Sequence, residues 1–142
     1  MIPNDDNYEN EIEEDIIADF EIENDPSLTY AMNLERLRFV GTVDETEAVK
    51  QAVLKIIHTE RYKHEIYSWD YGIELQDLHG KSIPYVMSEV KQRLTDALTA
   101  DDRIKSITDF NIERIEKNTL RCSFKVITTQ DDEVAIESEV NI

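Results

Sequence analysis

The last third of the chain alternates apolar and polar residues with a period of two. The cleanest run spans residues 120–126, and a second spans 134–142 with one interruption at Ser138. Phe110 and Ile112 show the same alternation further upstream. Such alternation is typical of strands that bury one face. Turn residues at 117–118 and 130–132 separate the runs, which predicts three antiparallel strands in a meander.

Two stretches before this region carry apolar residues at helical spacing. Asp44 opens the first helix, where its carboxylate can cap the first turn and Glu47 completes a capping-box pattern. The second helix begins around Ser82–Pro84, since proline is tolerated in a first turn. The predicted core faces are Val49, Ala52, Val53, Ile56 and Ile57 in the first helix, and Ile83, Met87, Val90, Leu94 and Leu98 in the second. The expected fold is α+β, with two main helices packed on one face of a small, mostly antiparallel sheet that includes the C-terminal three-stranded meander.

The charge divides the chain into two parts. The net charge is −17; residues 1–35 hold twelve acidic and no basic residues, whereas the remaining residues hold twenty acidic and fifteen basic ones. We expect residues 1–27 to form an acidic tail that is disordered by itself. Alternatively, its apolar residues could form one helical face on a partner: Ile12, Ile16, Ile17, Phe20 and Ile22. Residues 28–142 are expected to form one α+β domain, whose first part, 28–40, is extended and stops at Gly41.

Composition argues against several classes of function. No apolar run approaches the roughly 20 residues needed to cross a membrane, and residues 1–15 lack the basic and apolar regions of a signal peptide. Lys and Arg are not clustered, so nucleic acid is not an expected ligand. The single cysteine, Cys122, excludes an internal disulfide and fits a reducing compartment. These features predict a soluble cytoplasmic protein that does not contact membranes.

The sequence carries no pattern for catalysis or cofactor binding. His58, His64 and His79 match no compact zinc spacing. Cys122 lies on the apolar side of a strand, where a thiol behaves as a small hydrophobe. Acidic residues are so numerous that no pair of them indicates glycoside cleavage. We therefore assign no catalytic residue, no metal ligand and no cofactor.

Residues 59–75, TERYKHEIYSWDYGIEL, concentrate aromatic and charged side chains. Large amphipathic side chains such as Tyr71 and Trp69 are enriched at interface hot spots. The same side chains also pack in cores, with hydroxyl and indole groups bonded locally. For Trp69 both alternatives stay open.

The order and spacing of several short motifs resemble a known family. They are Thr59-Glu60-Arg61 at a helix end, Tyr71–Leu75, Leu78–Lys81, an amphipathic helix, and Asp101–Ile104 before an alternating strand. Together they resemble the baseplate wedge or sheath-initiator family of contractile tails, and more closely its branch in prophages and phage-tail-like particles of Gram-positive bacteria. The similarity covers about residues 43–142 for the family and starts at about Leu28 for that branch. The family has also carried a lysozyme-like label, which no residue pattern here supports.

The resemblance implies a structural role in assembly. Family members form a six-fold ring around the tail tube at the baseplate, and the first sheath ring polymerises on them by strand exchange. The implied partners are the tail sheath protein and other baseplate wedge proteins, with the tail tube or hub as further candidates. The resemblance also implies six copies, no enzymatic activity, assembly in the bacterial cytoplasm and a final place in the baseplate of a virion or phage-tail-like particle.

Two contact regions are expected on this basis. The family's Glu-Pro-Arg element maps onto Asp101, Asp102 and Arg103, where only the arginine is kept, and this turn is expected to form a charge network with Glu60 and Arg61. The expected wedge-contact residues are Asp101, Asp102, Arg103, Glu60, Arg61, Trp69 and Tyr71. The residues expected to pair with a sheath strand are Val134, Ile136, Val140 and Ile142.

The leading hypothesis is a structural baseplate component that nucleates sheath polymerisation by pairing strands between chains. Two alternatives remain open from the residues alone. One is a tail-associated muramidase that cleaves peptidoglycan. The other is an acidic partner-binding module or DNA mimic, motivated by the charge of residues 1–35.

Overall fold

The computed structural model describes residues 27–142, so the predicted acidic tail lies outside the described residues except for Ser27. Two strands come first, β1 (Thr29–Asn33) and β2 (Arg38–Val43), followed by helix α1 (Glu45–Ile57). A loop with a short 3-10 turn (Gln76–Leu78) leads to helix α2 (Ile83–Thr99). The chain ends with β3 (Ile104–Glu116), β4 (Thr119–Thr128) and β5 (Glu133–Asn141). No helix in this part of the chain is long and apolar enough to cross a bilayer.

The three C-terminal strands form an antiparallel sheet in the order β3-β4-β5, which confirms the predicted meander. The turns fall at 117–118 and 129–132, as the turn residues predicted. Side chains alternate strictly between buried and more exposed along β4 and β5. The α+β fold class is confirmed as well, because α1 packs against β5 and α2 packs against β3 on the same face of the sheet.

The core lies between the two helices and this sheet face. Every residue of the α1 stripe except Ala52 is buried, and so are Val90, Leu94 and Leu98 of α2. Ile73, Leu75 and Leu78 of the connecting loop complete the cluster. Each fully buried aliphatic side chain contributes on the order of 1.5–3 kcal/mol relative to an exposed one. The loop between the helices is therefore anchored at its C-terminal end by burial.

Helix α1 starts where expected, but its cap differs from the predicted capping box. The Asp44 carboxylate accepts hydrogen bonds from the Glu45 amide (2.8 Å) and from the Ser27 hydroxyl. The same hydroxyl accepts from the Glu45 amide (3.0 Å). Glu47 makes no such bond among the described residues. A residue distant in sequence thus joins the cap through the Glu45 amide, which sequence spacing alone could not reveal.

The extended stretch 28–40 is a hairpin and not one continuous run. β1 and β2 pair antiparallel, and Gly41 lies inside β2 with φ +74° instead of ending the strand. Most of the hairpin's large apolar side chains are exposed, with Leu37 at 88% of its maximal surface. The exposed set is Leu28, Tyr30, Leu34, Leu37, Phe39 and Val40. So many exposed large apolar side chains in one hairpin are unusual unless something covers them.

Gln51 of α1 connects this hairpin to the domain. The Met32 amide donates to the Gln51 side-chain oxygen (2.8 Å), and the Gln51 amide group donates to the Tyr30 carbonyl (2.8 Å). The side-chain amide thus pairs with the edge of β1 as a peptide group of a neighbouring strand would. The hairpin's position depends on this one side chain more than on buried apolar contacts.

We expect Gln51→Ala to loosen the hairpin without unfolding the domain. Each lost hydrogen bond costs about 0.5–1.5 kcal/mol, so hydrogen exchange at the Met32 amide should accelerate by about tenfold or more. Exchange at core amides such as Val126 should not change. Asp96→Ala, at an exposed position of α2, is the control. Unchanged exchange at Met32 in the Gln51 variant would show that other contacts hold the hairpin.

Candidate partner-binding surfaces

The segment between the helices closes into a loop through backbone pairing at its base. The Ile73 amide donates to the Thr59 carbonyl (2.9 Å), and the Arg61 amide donates to the Ile73 carbonyl (3.1 Å). These bonds form a parallel bridge between Glu60 and Ile73. Because Ile73 is also a core residue, the base of the loop is fixed while residues 62–71 project from it.

Glu60 and Arg61 complete this base with their side chains. The Glu60 carboxylate accepts from the backbone amides of Leu75 (3.1 Å) and Gln76 (3.3 Å). The Arg61 guanidinium donates through Nε (3.1 Å) and Nη2 (3.0 Å) to the Gly72 carbonyl. Both charged groups thus satisfy backbone groups that would otherwise have no partner where the chain reverses.

The predicted charge network between these two residues and the Asp101–Arg103 turn does not form. No ion pair or hydrogen bond joins Glu60 or Arg61 to that turn among residues 27–142. The physical reason is that the loop base uses both side chains locally. The contacts expected from the order of the motifs are therefore wrong, since Glu60 and Arg61 bond to their own loop.

Tyr71 belongs to the loop and also packs against the core. Its ring stacks on Tyr67, with centroids 4.3 Å apart. Burial raises the pKa of the Tyr71 phenol, the charges of Tyr67 and Asp101 raise it further, and the charge of Arg103 lowers it. The Asp101–Arg103 turn thus acts on Tyr71 through its charges, and no hydrogen bond joins the two within residues 27–142.

Asp101 and Arg103 form a bidentate pair within the turn. Arg103 donates to the Asp101 carboxylate from its backbone amide (3.0 Å), Nε (3.0 Å) and Nη2 (2.7 Å). Burial tends to raise the pKa of Asp101, but these hydrogen bonds outweigh it and hold that pKa below its ordinary value. The pair is therefore ionised throughout the neutral range. Since a guanidinium has five N–H donors, donors of Arg103 remain for a partner.

The turn forms one wall of an open polar recess. The recess has a volume of about 560 Å³ and also borders the start of α1 and the β4–β5 turn. Its charged lining residues are acidic apart from Arg103: Asp44, Glu45, Asp101, Asp102 and Asp132. A partner at this place would present basic groups or hydrogen-bond donors.

The tip of the loop is apolar and exposed. Trp69 exposes 76% and Ile66 86% of their maximal surfaces, and Tyr62 is exposed beside them. Of the two alternatives left open for Trp69, the structure supports the surface position. Ile73, at the base of the loop, is buried instead. Exposed aromatic and branched side chains on an anchored loop have the composition of an interface hot spot.

A second candidate surface is the open edge of β5. Within the described residues β5 pairs only with β4, so its other edge has no partner strand. β3, at the opposite edge, is interrupted by three register shifts, whereas β5 pairs with β4 without any shift from Glu133 to Asn141. Bulges protect edge strands from pairing with other chains. The regular β5 edge is thus the better template for an added strand.

Hydrogen bonds at the two ends of β5 show which residues face that edge. Thr128 donates to the Asp132 carbonyl (2.9 Å), and Ile142 donates to the Asn118 carbonyl (2.8 Å). Both contacts continue the β4–β5 register. Since successive residues direct their backbone groups to opposite edges, the even-numbered residues bond to β4. The odd-numbered ones face the open edge: Glu133, Ala135, Glu137, Glu139 and Asn141.

This pattern corrects the roles expected for Val134, Ile136, Val140 and Ile142. Their side chains are buried beneath the helices, and their backbone groups point towards β4. Alternation in the sequence identified the strand and its buried face. It could not identify the residues available to another chain, because side-chain face and backbone edge are separate properties of a strand.

The described residues offer little for catalysis. Cys122 is fully buried, and burial raises the pKa of its thiol to about 11, so the reactive thiolate is absent at neutral pH. No group of three or more His, Cys, Asp or Glu side chains within residues 27–142 is placed to hold a metal ion. His58 lies near the buried Ser138 hydroxyl, at 3.3 Å from Nε2 to Oγ. That contact explains the polar interruption in the β5 pattern.

Sequence reasoning missed two features of these surfaces. The exposed hairpin was treated as a partly apolar strand, although its run of Leu34, Leu37, Phe39 and Val40 lacks the strict alternation of a half-buried strand. The other feature is the Gln51 connection, for which no local signal exists. A single polar residue on a helix does not reveal its partner.

Comparison with known proteins places the chain in a family. Residues 19–131 match the family described as contractile injection system sheath initiator. The chain is also 34% identical over 129 residues to the phage-like element PBSX protein XkdS of Bacillus subtilis (strain 168), covering 86% of this chain and 90% of that protein. These matches agree with the resemblance drawn from the motifs, including its Gram-positive prophage branch. The chain therefore belongs to the sheath initiators of contractile injection systems, which are structural components of contractile tails.

Proposed function

We propose that this protein nucleates the sheath by accepting a strand of the tail sheath protein on the open edge of β5. The observation that carries the proposal is the regular, unpaired edge formed by Glu133–Asn141. Backbone pairing sets the direction of an incoming strand, and alternating side chains set its register. The first sheath subunit can add correctly only when the direction and the register of its strand are both fixed.

The energetics of strand addition suit a ring of identical copies. Each backbone hydrogen bond contributes only about 0.5–1.5 kcal/mol net, so one added strand binds weakly and reversibly. Six linked copies around the tail tube would bind a sheath ring multivalently. Weak single contacts then permit correction of errors, whereas the completed ring is stable.

The loop and the adjacent turn are proposed as the contact with other wedge proteins. Trp69 and Ile66 offer an apolar anchor, and Arg103 offers guanidinium donors at the rim of an acidic recess. Tyr71 belongs to the loop, and the charges of the turn act on its phenol. This surface and the β5 edge consist of separate sets of residues. One protein could therefore be incorporated through the first while the second receives the sheath.

The role proposed is structural and not enzymatic. It places the protein in the bacterial cytoplasm during assembly and in the baseplate of the finished particle. Binding needs neither a bound metal nor a reactive side chain. In agreement with this, the thiol of Cys122 is protonated and buried.

We expect Arg103→Ala to impair incorporation into the baseplate more than it destabilises the isolated protein. The lost pair is partly exposed, so its loss should cost about 1 kcal/mol. Quantitative mass spectrometry of purified particles should nevertheless show a several-fold lower content of the variant. Thermal unfolding of the free protein gives the stability change for comparison.

Arg93→Ala is the matched control for this substitution. Arg93 also forms a bidentate ion pair, with Asp77, and in addition pairs with Glu89 and donates to the Glu74 carbonyl; it is not one of the residues of the proposed contact. We expect that variant to lose at least as much stability and still be incorporated. If both variants are incorporated equally well, Arg103 has only a role in the turn itself.

A further inference from the structure

A groove between the β1–β2 hairpin and helix α1 has no assigned occupant. It has a volume of about 540 Å³ and is lined mainly by apolar groups, among them Met32, Leu34, Val43 and Leu54. Lys50 and Lys55 of α1 lie along it. The groove is distinct from the β5 edge and from the loop surface, so neither of the functions proposed above uses it.

The basic residues around this groove lack acidic partners. Lys50 and Lys55 form no ion pair with any residue in the range 27–142, and Glu47 is the one acidic residue in the lining that the structure describes. Elsewhere in this range five basic residues do pair with carboxylates: Arg93, Arg103, Lys105, Arg121 and Lys125. An occupant of complementary chemistry would combine carboxylates with apolar side chains.

A segment of this chain has that chemistry, and the strand that follows it, β1, lines the groove with Ala31 and Met32. Residues 1–26 carry eleven acidic and no basic residues, with Ile12, Ile16, Ile17, Phe20 and Ile22 among them. The segment joins the described domain at Ser27, whose hydroxyl is bonded to Asp44 just before α1. Phe20 is seven residues away from Ser27, a span of up to roughly 24 Å when extended. That reach exceeds the length of the five-residue strand β1 beside the groove, roughly 17 Å.

We propose that the acidic N-terminal segment of the same chain binds in the groove between the hairpin and α1. Its apolar residues pack against Met32, Leu34 and Leu54, and its carboxylates lie beside Lys50 and Lys55. Tethering favours this occupant, because a short linker gives an effective concentration on the order of millimolar. Docking would also cover part of the apolar surface that the hairpin otherwise exposes to solvent.

Disulfide trapping in the full-length protein tests this proposal. The only native cysteine, Cys122, is buried and will not compete. One variant carries Phe20→Cys with Lys55→Cys in the groove, and its matched control carries Phe20→Cys with Lys91→Cys on α2. Both replaced lysines are exposed. Circular dichroism checks that both variants keep their secondary structure, and copper–phenanthroline supplies the oxidant.

We expect the groove pair to form an intramolecular disulfide about tenfold faster than the control pair. Adding Ile16→Ser and Ile17→Ser, or raising NaCl to about 1 M, should remove most of that difference, since the first weakens apolar contact and the second screens charge. Equal rates for the two pairs would overturn the proposal. A covalent dimer as the main product would also overturn it, because a second copy would then be the occupant. Neither result tests the proposal on sheath nucleation, because that proposal concerns the edge of β5.

Discussion

Gly72→Ala is expected to lower the free energy of unfolding by about 2–4 kcal/mol. Gly72 has φ +91°, a conformation that L-residues adopt only with strain. A methyl group there would lie 2.5 Å from the Thr59 carbonyl oxygen and 3.2 Å from the Arg61 amide. Both atoms belong to the backbone at the loop base, so neither can move without breaking the bonds to Ile73.

Gly80→Ala is the control that separates strain from the steric clash. Gly80 has a similar φ of +78°, but nothing lies within 4 Å of the added methyl group. We therefore expect a loss of only about 1–2 kcal/mol from backbone strain. Urea unfolding of both variants measures the difference. Equal losses would mean that the loop base adapts and that the loop surface is less rigid than its contacts indicate.

Ala135→Pro is expected to reduce sheath formation by about tenfold or more while leaving the domain folded. The Ala135 amide faces the open edge, so proline removes a donor for the incoming strand and keeps every hydrogen bond to β4. Proline is tolerated on edge strands, and the residue before it prefers the extended conformation that Val134 already has. Electron microscopy of particles assembled with this variant measures the fraction that carries a sheath.

Ala135→Ser is the matched control, because it changes the side chain and keeps the amide. We expect sheaths of normal number and length with serine. Normal sheaths on particles that contain the folded proline variant would exclude the β5 edge as the template. Deleting residues 135–142 is a poorer experiment, since it removes Ile136, Val140 and Ile142 from the core and unfolding would confuse the result.

The two substitutions are expected to weaken different processes, namely folding of the domain and association with the sheath. Gly72 acts on the free energy of the isolated domain, through a backbone approach that only glycine permits. Ala135 is proposed to act on association, through a backbone group that bonds to no other described strand. We therefore expect that assembly can be blocked at Ala135 with little loss of stability.

Much of the fold follows from residue patterns. The period of two in residues 120–142 predicted the meander, and the apolar stripes of α1 and α2 predicted the face that the helices cover. These predictions succeed because burial repeats with the geometry of each element. The single apolar stripe of each helix faces the same buried layer that the strands face.

Predictions about the contact surfaces succeeded less well. Trp69 is exposed at the loop tip and Arg103 pairs with Asp101 within its own turn, whereas Glu60 and Arg61 bond to the backbone of the loop base. The motif order showed that these positions belong together in the family. It did not show which side chain makes which contact, because hydrogen-bond partners depend on distances between segments far apart in sequence.

The sequence by itself determined the three strands of the meander, the two helices and the family to which the chain belongs. The tertiary structure decided which edge of the sheet stays open, which backbone groups face it, and that the hairpin 29–43 lies exposed beside α1. The physical reason is that local periodicity records whether a side chain is buried. The choice of a neighbour depends on how the elements are arranged, and any single strand carries the same backbone groups along both of its edges.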